Sequence, residues 1–408
     1  MFPIMRLSFP DLWICKLKIL TFTTLYPNAV QPRHGIFIQE RLRHLAMQGN
    51  ITIKVVAPVP WFPFKSRCFG KYAIYSKVLP AEVQADIEVY HPKFPVLPKI
   101  GMSISPLLLA GFAYPAIRKI QKEGYDFDVI DCHYFYPDGV AAVLLGKLLR
   151  KPVMVTARGS DINLIPEYFI PRKFIQWAAK NAQCIAAVSE NLKEKIASLG
   201  TPLAKINVFR NGVDLDKFAP LDRNEIRRQF KLSGFTLLSV GNLIELKGHH
   251  LVIEALPRLQ DVTLIIAGEG EMQSKLKSIA EDYNVTDRVI FTGNVTQTEL
   301  CRLYNAADAL ILASSREGMA NVVLESLACG TPVIATDVGG NREVIRSDEL
   351  GLILDSRSTE SIIMGVKTII KQGRSREGIR AYAESLSWNE TSLKLKECFN
   401  TICFNPAN

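Results

Sequence analysis

The chain has 408 residues, 48% hydrophobic and 22% charged, which excludes a disordered or low-complexity protein and allows two or three domains with large cores. The net charge of +9 is uneven, with 25 Lys+Arg against 14 Asp+Glu in residues 1–200 and 24 against 26 in residues 201–408. A basic first half fits an anionic partner, such as a membrane surface, a nucleic acid or an acidic glycan, and fits equally a solvated surface with no partner.

Residues 1–16 read as an extension before the first strand, because Asp11 and two prolines interrupt any apolar signal core. Nearly continuous apolar runs then mark strands at 17–23, 52–58, 128–133, 152–157 and 183–188, and again at 235–240, 262–267, 288–293, 309–313, 332–336 and 351–354. Runs of that kind suit parallel strands buried on both faces. Helical stretches alternate with them: Ser189 caps "ENLKEKIASLG", and Thr296 with Glu299 forms a capping box. The uncharged stretch 100–117 contains Pro106 and Pro115 and barely reaches spanning length, so it reads as a buried or membrane-apposed helix. The turn "RNGVD" at 210–214 marks a crossing between two βαβ halves. The expected architecture is α/β: two doubly wound domains facing across a cleft, N-terminal (17–205) and C-terminal (206–384), with a final helix and tail (385–408) packing back across the boundary.

Several chemistries are excluded by pattern. The eight cysteines form no CxxC pair and several lie in apolar runs, which fits a reducing cytosol and argues against cysteine-held metal. No G-x-x-x-x-G-K-[ST] loop occurs, and "AGEGEM" at 267–272 fails the dinucleotide fingerprint at Gln273. The D-x-D triplets at Asp126–Asp128 and Asp214–Asp216 lie at a strand's amino end and in a turn, where chance carboxylate pairs are common.

Two strand-end loops carry more chemistry. In "VGNLIELKG" (240–248), Gly241, Asn242, Lys247 and Gly248 separate a strand from a helix, a setting that suits a diphosphate facing amides and one ammonium. In "EGMANVVLE" (317–325), Gly318 permits a tight turn and leaves the amides of Met319, Ala320, Asn321 and Val322 facing outward. Glu325 can accept from a diol such as ribose, and Glu317 from sugar hydroxyls. Plain structural roles also fit: Glu325 as a carboxylate near its helix N-terminus, Glu317 as a loop charge, Lys247 as an exposed lysine.

The combination of E-G-x6-E with "CGTPVIATDVGG", "VGNLIELKG", "RNGVD" and "AGEGEM" resembles the family 4 (group 1) glycosyltransferases. The segments 26–46 and 133–163 resemble the branch that assembles teichuronic-acid-type bacterial surface polysaccharides. The resemblance implies the GT-B fold and retaining transfer from a nucleotide-activated sugar, with no cofactor and no required metal. It assigns Glu325 to the ribose, Glu317 to the transferred sugar, Lys247 to the diphosphate, the 318–322 backbone to sugar and phosphates, and Val295 to the base. In the N-terminal half it sets Gly35 near the diphosphate and His133 near the anomeric carbon, so that Glu317, His133 and Lys247 form the catalytic group. Many relatives have arginine where this chain has Asn242, leaving Lys247 as the main phosphate cation with Arg158 as a helper. The acceptor-side candidates are Arg158 and Asp161, where relatives have histidine-containing pairs. The implied partners are a nucleotide-diphosphate sugar and a glycan or polyprenyl-diphosphate-linked glycan at the cytoplasmic membrane face, with no nucleic acid. Two other classes remain open: a nucleotide-sugar 2-epimerase of the same fold, and a non-catalytic scaffold that binds nucleotide sugar.

Overall fold

The computed structural model describes residues 16–61, 75–96 and 101–404. The expected extension, all but Lys16 of it, and residues 64–74 of the basic stretch 64–77 lie outside the described residues.

The N-terminal sheet contains β1 (Leu17–Phe22), β2 (Ile51–Val56), β4 (Ala81–Gln84), β5 (Ile87–Tyr90), β7 (Val129–His133), β8 (Val153–Ala157), β9 (Cys184–Ala187) and β10 (Ile206–Val208), while β3 (Val59–Trp61) and β6 (Lys93–Pro95) pair separately. Its order is β10-β9-β8-β7-β1-β2-β5-β4, parallel except for the β4–β5 hairpin at one edge. The hairpin turns through Ala85 and Asp86, both with positive φ, which matches its twist to that of the flanking strands. Because β10 hydrogen-bonds to β9, the first sheet continues through residue 208, slightly past the boundary expected after 205.

The C-terminal sheet is wholly parallel, ordered β13-β12-β11-β14-β15-β16. Its strands are β11 (Phe235–Val240), β12 (Val262–Ala267), β13 (Val289–Gly293), β14 (Ala309–Leu312), β15 (Val333–Thr336) and β16 (Gly351–Leu354). In both sheets the order reverses beside the first strand, at β1 and at β11, and the loops after the adjoining strands open toward the opposite domain, as doubly wound sheets require of a ligand crevice.

Sequence punctuation works as its chemistry demands. Ser189 Oγ accepts from the Leu192 amide at 3.2 Å, and the Thr296–Glu299 capping box closes in both directions. The apolar stretch forms the helix Gly101–Lys122 with both prolines inside it. No described helix is long and apolar enough to cross a membrane.

The domains are joined twice. The 210–214 segment runs beside 386–388, with the Val213 amide bonded to the Leu386 carbonyl at 2.9 Å. Gly212 lies so close to Trp388 that a Cβ there would stand 2.5 Å from its amide nitrogen. From that second crossing, helix Trp388–Phe404 returns to the N-terminal domain and buries Leu395 and Phe399 in the cluster of Ile19, Ile38, Leu42 and Val55. The expected return of the C-terminal helix is therefore present, held by about 2–3 kcal/mol of burial per large apolar side chain.

Candidate active site

Lys247 closes a short 3-10 turn, Glu245–Lys247, which leads through Gly248 into helix His249–Ala255. Gly248 has φ +72° and its Cα faces the Ala313 carbonyl, so this turn tolerates no side chain there. The turn aims the ammonium at the end of β14. There Lys247 Nζ donates to Glu317 Oε1 at 2.6 Å, and Ser314 Oγ donates to the same oxygen at 2.7 Å. Two loops separated by 70 residues thus converge on one carboxylate. Asn242, three residues before that turn, is exposed.

Glu317 is followed by Gly318, and helix Asn321–Ala328 starts three residues later, without a side-chain cap. Met319 and Ala320 are buried against the core while Asn321 and Val322 are partly exposed. One turn inside the helix, Glu325 Oε2 accepts from the Tyr304 hydroxyl at 2.8 Å. Burial is the largest influence on Glu325 and pushes its carboxyl up to about 7, the Tyr304 bond pulling the other way. Its environment is an interdomain crevice lined also by Glu40, Gly212, Lys217, Asn321 and Trp388. Val295, just beyond β13, is half-buried against the C-terminal core.

The N-terminal domain meets this surface through three loops. Gly35 has φ +72° at the start of helix Ile36–Ala46, and a Cβ there would overlap the Leu25 carbonyl, so only glycine fits. The Arg158–Gly159 turn lies directly against Gly318: a Cβ on Gly159 would stand 3.1 Å from the Gly318 amide nitrogen. Asn163 Nδ2 donates to the Glu317 carbonyl at 3.1 Å. Farther along the interface, Glu343 accepts from the Asn191 amide at 3.2 Å and from Arg210 Nη2 at 2.8 Å.

Both acceptor-side candidates are tied to protein partners. Asp161 is fully buried and accepts from the amides of Phe135, Arg158 and Gly159, at 2.6, 3.1 and 2.7 Å; it organises the loop and offers no free oxygen to a substrate. Arg158, the expected helper of Lys247, is held by neutral partners. Its Nη2 donates to His133 Nδ1 at 2.8 Å, its Nη1 to Asn211 Oδ1 at 3.0 Å, and its guanidinium covers the Phe37 ring at 5.2 Å. His133 ends β7 and is fully buried. With Nδ1 accepting from Arg158, the neutral ring carries its proton on Nε2, 3.2 Å from Asp131 Oδ2. Burial, the largest influence, lowers its pKa to about 3, so the ring is neutral at physiological pH. The ring stands beneath the Arg158 guanidinium and has no exposed edge of its own.

Sequence reasoning did not identify Ser314, Tyr304, Asn163, Asn211, Lys217 or Glu343 as site residues. Tyr304 and Lys217 have no local signature, since their relation to Glu325 exists only after the sheet folds. Ser314, three residues before Glu317 at a strand end, was accessible to the same loop argument. Among the described residues, one trio of potential metal ligands gathers, Glu40, His44 and Asp214. Lys217 bonds Glu40 at 2.7 Å and Arg43 bonds Asp214, so cations already occupy these carboxylates.

Two family models cover nearly the whole chain: "Glycosyltransferase Family 4" over residues 36–217 and "Glycosyl transferases group 1" over residues 222–386. The chain is 31% identical over 331 residues to the putative teichuronic acid biosynthesis glycosyltransferase TuaC of Bacillus subtilis, covering 79% of this chain and 82% of that one. The chain belongs to the group 1, family 4 glycosyltransferases. It is accordingly a sugar-transferring enzyme, in EC class 2.4. This glycosyltransferase is also 31% identical to the lipopolysaccharide core biosynthesis glycosyltransferase LpsE of Rhizobium meliloti, over 48% of this chain and 56% of that one. Its GT-B fold is shared with sucrose-phosphate synthase from Thermosynechococcus elongatus (TM-score 0.77, 18% identity, 95% and 98% of the two chains). It is shared too with Anabaena HepE in complex with UDP-glucose (TM-score 0.72, 17% identity, 94% and 100%).

Proposed function

We propose that this glycosyltransferase moves a sugar, with retention at the anomeric carbon, from a nucleotide-diphosphate sugar to a glycan or polyprenyl-diphosphate-linked glycan during surface-polysaccharide assembly. The observation that carries the reading is the Lys247–Glu317 pair at 2.6 Å, at a strand-end rim facing the Arg158–Gly159 turn of the other domain. A pyrophosphate arriving at Lys247 replaces Glu317 as its counter-ion. Glu317 is then free to accept from the hydroxyls of the transferred sugar, while Glu325 accepts from the ribose and the backbone of 318–322 borders the phosphates. As the glycosidic bond breaks, charge accumulates on the leaving diphosphate, and a preorganised ammonium with outward amides stabilises it without a cofactor or a required metal. In this reading Gly35 approaches the diphosphate from the N-terminal side, Val295 borders the base, and Arg158, resting on His133, faces the acceptor. The relatives named for teichuronic acid and lipopolysaccharide core biosynthesis support a glycan acceptor. The solved complexes of HepE with UDP and UDP-glucose support a nucleotide-sugar donor.

Incubation with a panel of UDP-, GDP- and ADP-sugars tests the reading. Slow release of nucleotide supports it, whereas donor isomerisation or binding without any turnover overturns it.

The carboxyl of Glu325 supplies a pH dependence. Its folded pKa, about 7, is raised above the ordinary value of 4.5, so its charged form is disfavoured in the empty protein. Stability associated with this group is present below about pH 4.5 and is lost as pH rises through 7. A ribose diol donates to the ionised carboxylate and reverses that preference. Affinity for the nucleotide sugar, whose diphosphate diester does not titrate in this range, is expected to rise between pH 6 and 8. Calorimetric titration of wild type and Glu325→Gln checks this: the variant's profile is expected to be flat.

We place the enzyme in the cytoplasm, peripheral on the inner face of the membrane. Leu107, Phe169 and Ile170 are exposed beside Val140, Leu144 and Trp177 in an apolar groove bordered by Lys173, on the basic domain. Such a rim suits an anionic lipid surface, with roughly 1 kcal/mol contributed by each nearby cation. Cosedimentation is expected with anionic vesicles and not with neutral ones; equal sedimentation with both removes the electrostatic component.

A further inference from the structure

We infer that Asn211, in the interdomain crossing, is a positioning residue that couples the acceptor-side arginine to the donor-side helix. Its carboxamide faces two ways. Oδ1 accepts from Arg158 Nη1 at 3.0 Å, and Nδ2 donates to Asn321 Oδ1 at 2.7 Å. Asn211 is itself buried, 8% exposed, so both bonds are made away from bulk water, where an unpaired amide is costly. Arg158 belongs to the N-terminal domain and rests on His133 and Phe37, the latter two residues after Gly35. Asn321 is the first residue of the helix that carries Glu325. A single side chain on the hinge therefore joins the floor of one domain to the working helix of the other.

Asparagine suits the position because it alone among small residues offers an acceptor to a guanidinium and a donor to a second amide in one rigid plane. The crossing around it is also fixed. The Val213 amide is tied to Leu386, and Gly212 abuts Trp388, so the carboxamide projects from an anchored strut rather than a free loop. When the domains part, at least one of the two bonds must break; when they close, both form and the Arg158 guanidinium acquires one orientation relative to Glu317 and Glu325. The coupling does not contact the transferred sugar, so it acts on the fraction of bound enzyme that is correctly assembled.

This inference rests on the transferase reading above, and the experiment separates the two. Using UDP-glucose, or whichever sugar of the UDP, GDP and ADP panel the wild type turns over, kcat and donor affinity are measured for Asn211→Ala, Asn321→Ala, the double variant and Asn321→Asp. Asn211→Ala is expected to lower kcat by about 10- to 100-fold, the loss of a hydrogen bond to a charged group together with its neutral partner, while donor affinity changes far less. The double variant is expected to be no slower than Asn211→Ala, because both act on one bridge. Asn321→Asp keeps the acceptor and is expected to recover most of the rate. A wild-type enzyme that consumes no member of the panel overturns the transferase reading and this inference with it. Active wild type with unchanged kcat in Asn211→Ala, multiplying losses in the double variant, or a parallel fall in kcat, affinity and melting temperature overturns the bridge alone.

Discussion

Lys247→Ala is expected to lower kcat by roughly two to three orders of magnitude, the loss seen when one preorganised donor to developing charge is removed. Lys247 is the cation bonded to the carboxylate on which the two loops converge; Arg158, the other candidate, donates to Asn211 and His133, and the position that holds arginine in many relatives is Asn242 here. Among the described residues, Lys247 is the cation bonded to Glu317 at this rim. The alanine variant also leaves Glu317 with only the Ser314 hydroxyl at 2.7 Å, so a carboxylate that lacks its cation faces the incoming diphosphate and repels it. Donor affinity is expected to fall along with kcat for that reason. Combining Lys247→Ala with Glu317→Gln removes the repulsion and is expected to restore part of the affinity and little of the rate. Lys247→Arg keeps the charge on a longer planar group and is expected to lie between wild type and alanine. Steady-state kinetics on folded protein, with circular dichroism as the control, decide the matter; wild-type turnover of Lys247→Ala removes Lys247 from the chemistry.

The parts of the fold that were legible in the sequence share one physical property. Strands such as Val262–Ala267 and Val129–His133 are buried on both faces, and burial on both faces forces an apolar run that can be read without knowing the neighbours. The strands that escaped notice are short, and all but Ile87–Tyr90, which sits between β2 and β4, lie at an edge or in the two-stranded β3–β6 ribbon. Ala81–Gln84 alternates exposed and half-buried residues, and β10 is three residues long and buries fully only Ile206. Such strands exist because a neighbour supplies their hydrogen bonds, and this information is absent from their own residues. The same distinction divides the site. Glu317, Gly318 and Lys247 belong to strand-end loops and Glu325 to the first turns of the following helix, so composition and spacing made them candidates, and the family resemblance assigned their roles. The roles of Asp161, Arg158 and His133 depend on partners in other elements. Asp161 looked like a free carboxylate in sequence and is used up by three backbone amides. Arg158 looked like a spare cation and is directed inward by a histidine 25 residues earlier and an asparagine 53 residues later.

Gly318→Ala is expected to abolish sugar transfer, by about a hundredfold or more, while the protein remains folded and still binds nucleotide. The backbone of Gly318 is not in the left-handed region, so alanine is compatible with its own chain. The obstacle is across the interface: the new methyl group overlaps the Arg158 carbonyl oxygen and crowds Gly159 Cα, both in the other domain. Backbone atoms cannot rotate away as a flexible side chain can, so the two domains must separate by about an ångström, and displacements of that size in a reacting assembly cost about two orders of magnitude in rate. Gly35→Ala provides the contrast. There the methyl group overlaps the Leu25 carbonyl within a single domain, and the backbone φ of +72° is itself unfavourable for alanine, so lower melting temperature and poor folding are expected. For Gly318→Ala the melting temperature is expected to stay near wild type, with the difference appearing in small-angle scattering as a larger radius of gyration of the nucleotide-bound protein. Wild-type transfer by a properly folded Gly318→Ala protein would falsify the idea that catalysis occurs with these two loops in backbone contact, since no rearrangement within either domain relieves that overlap.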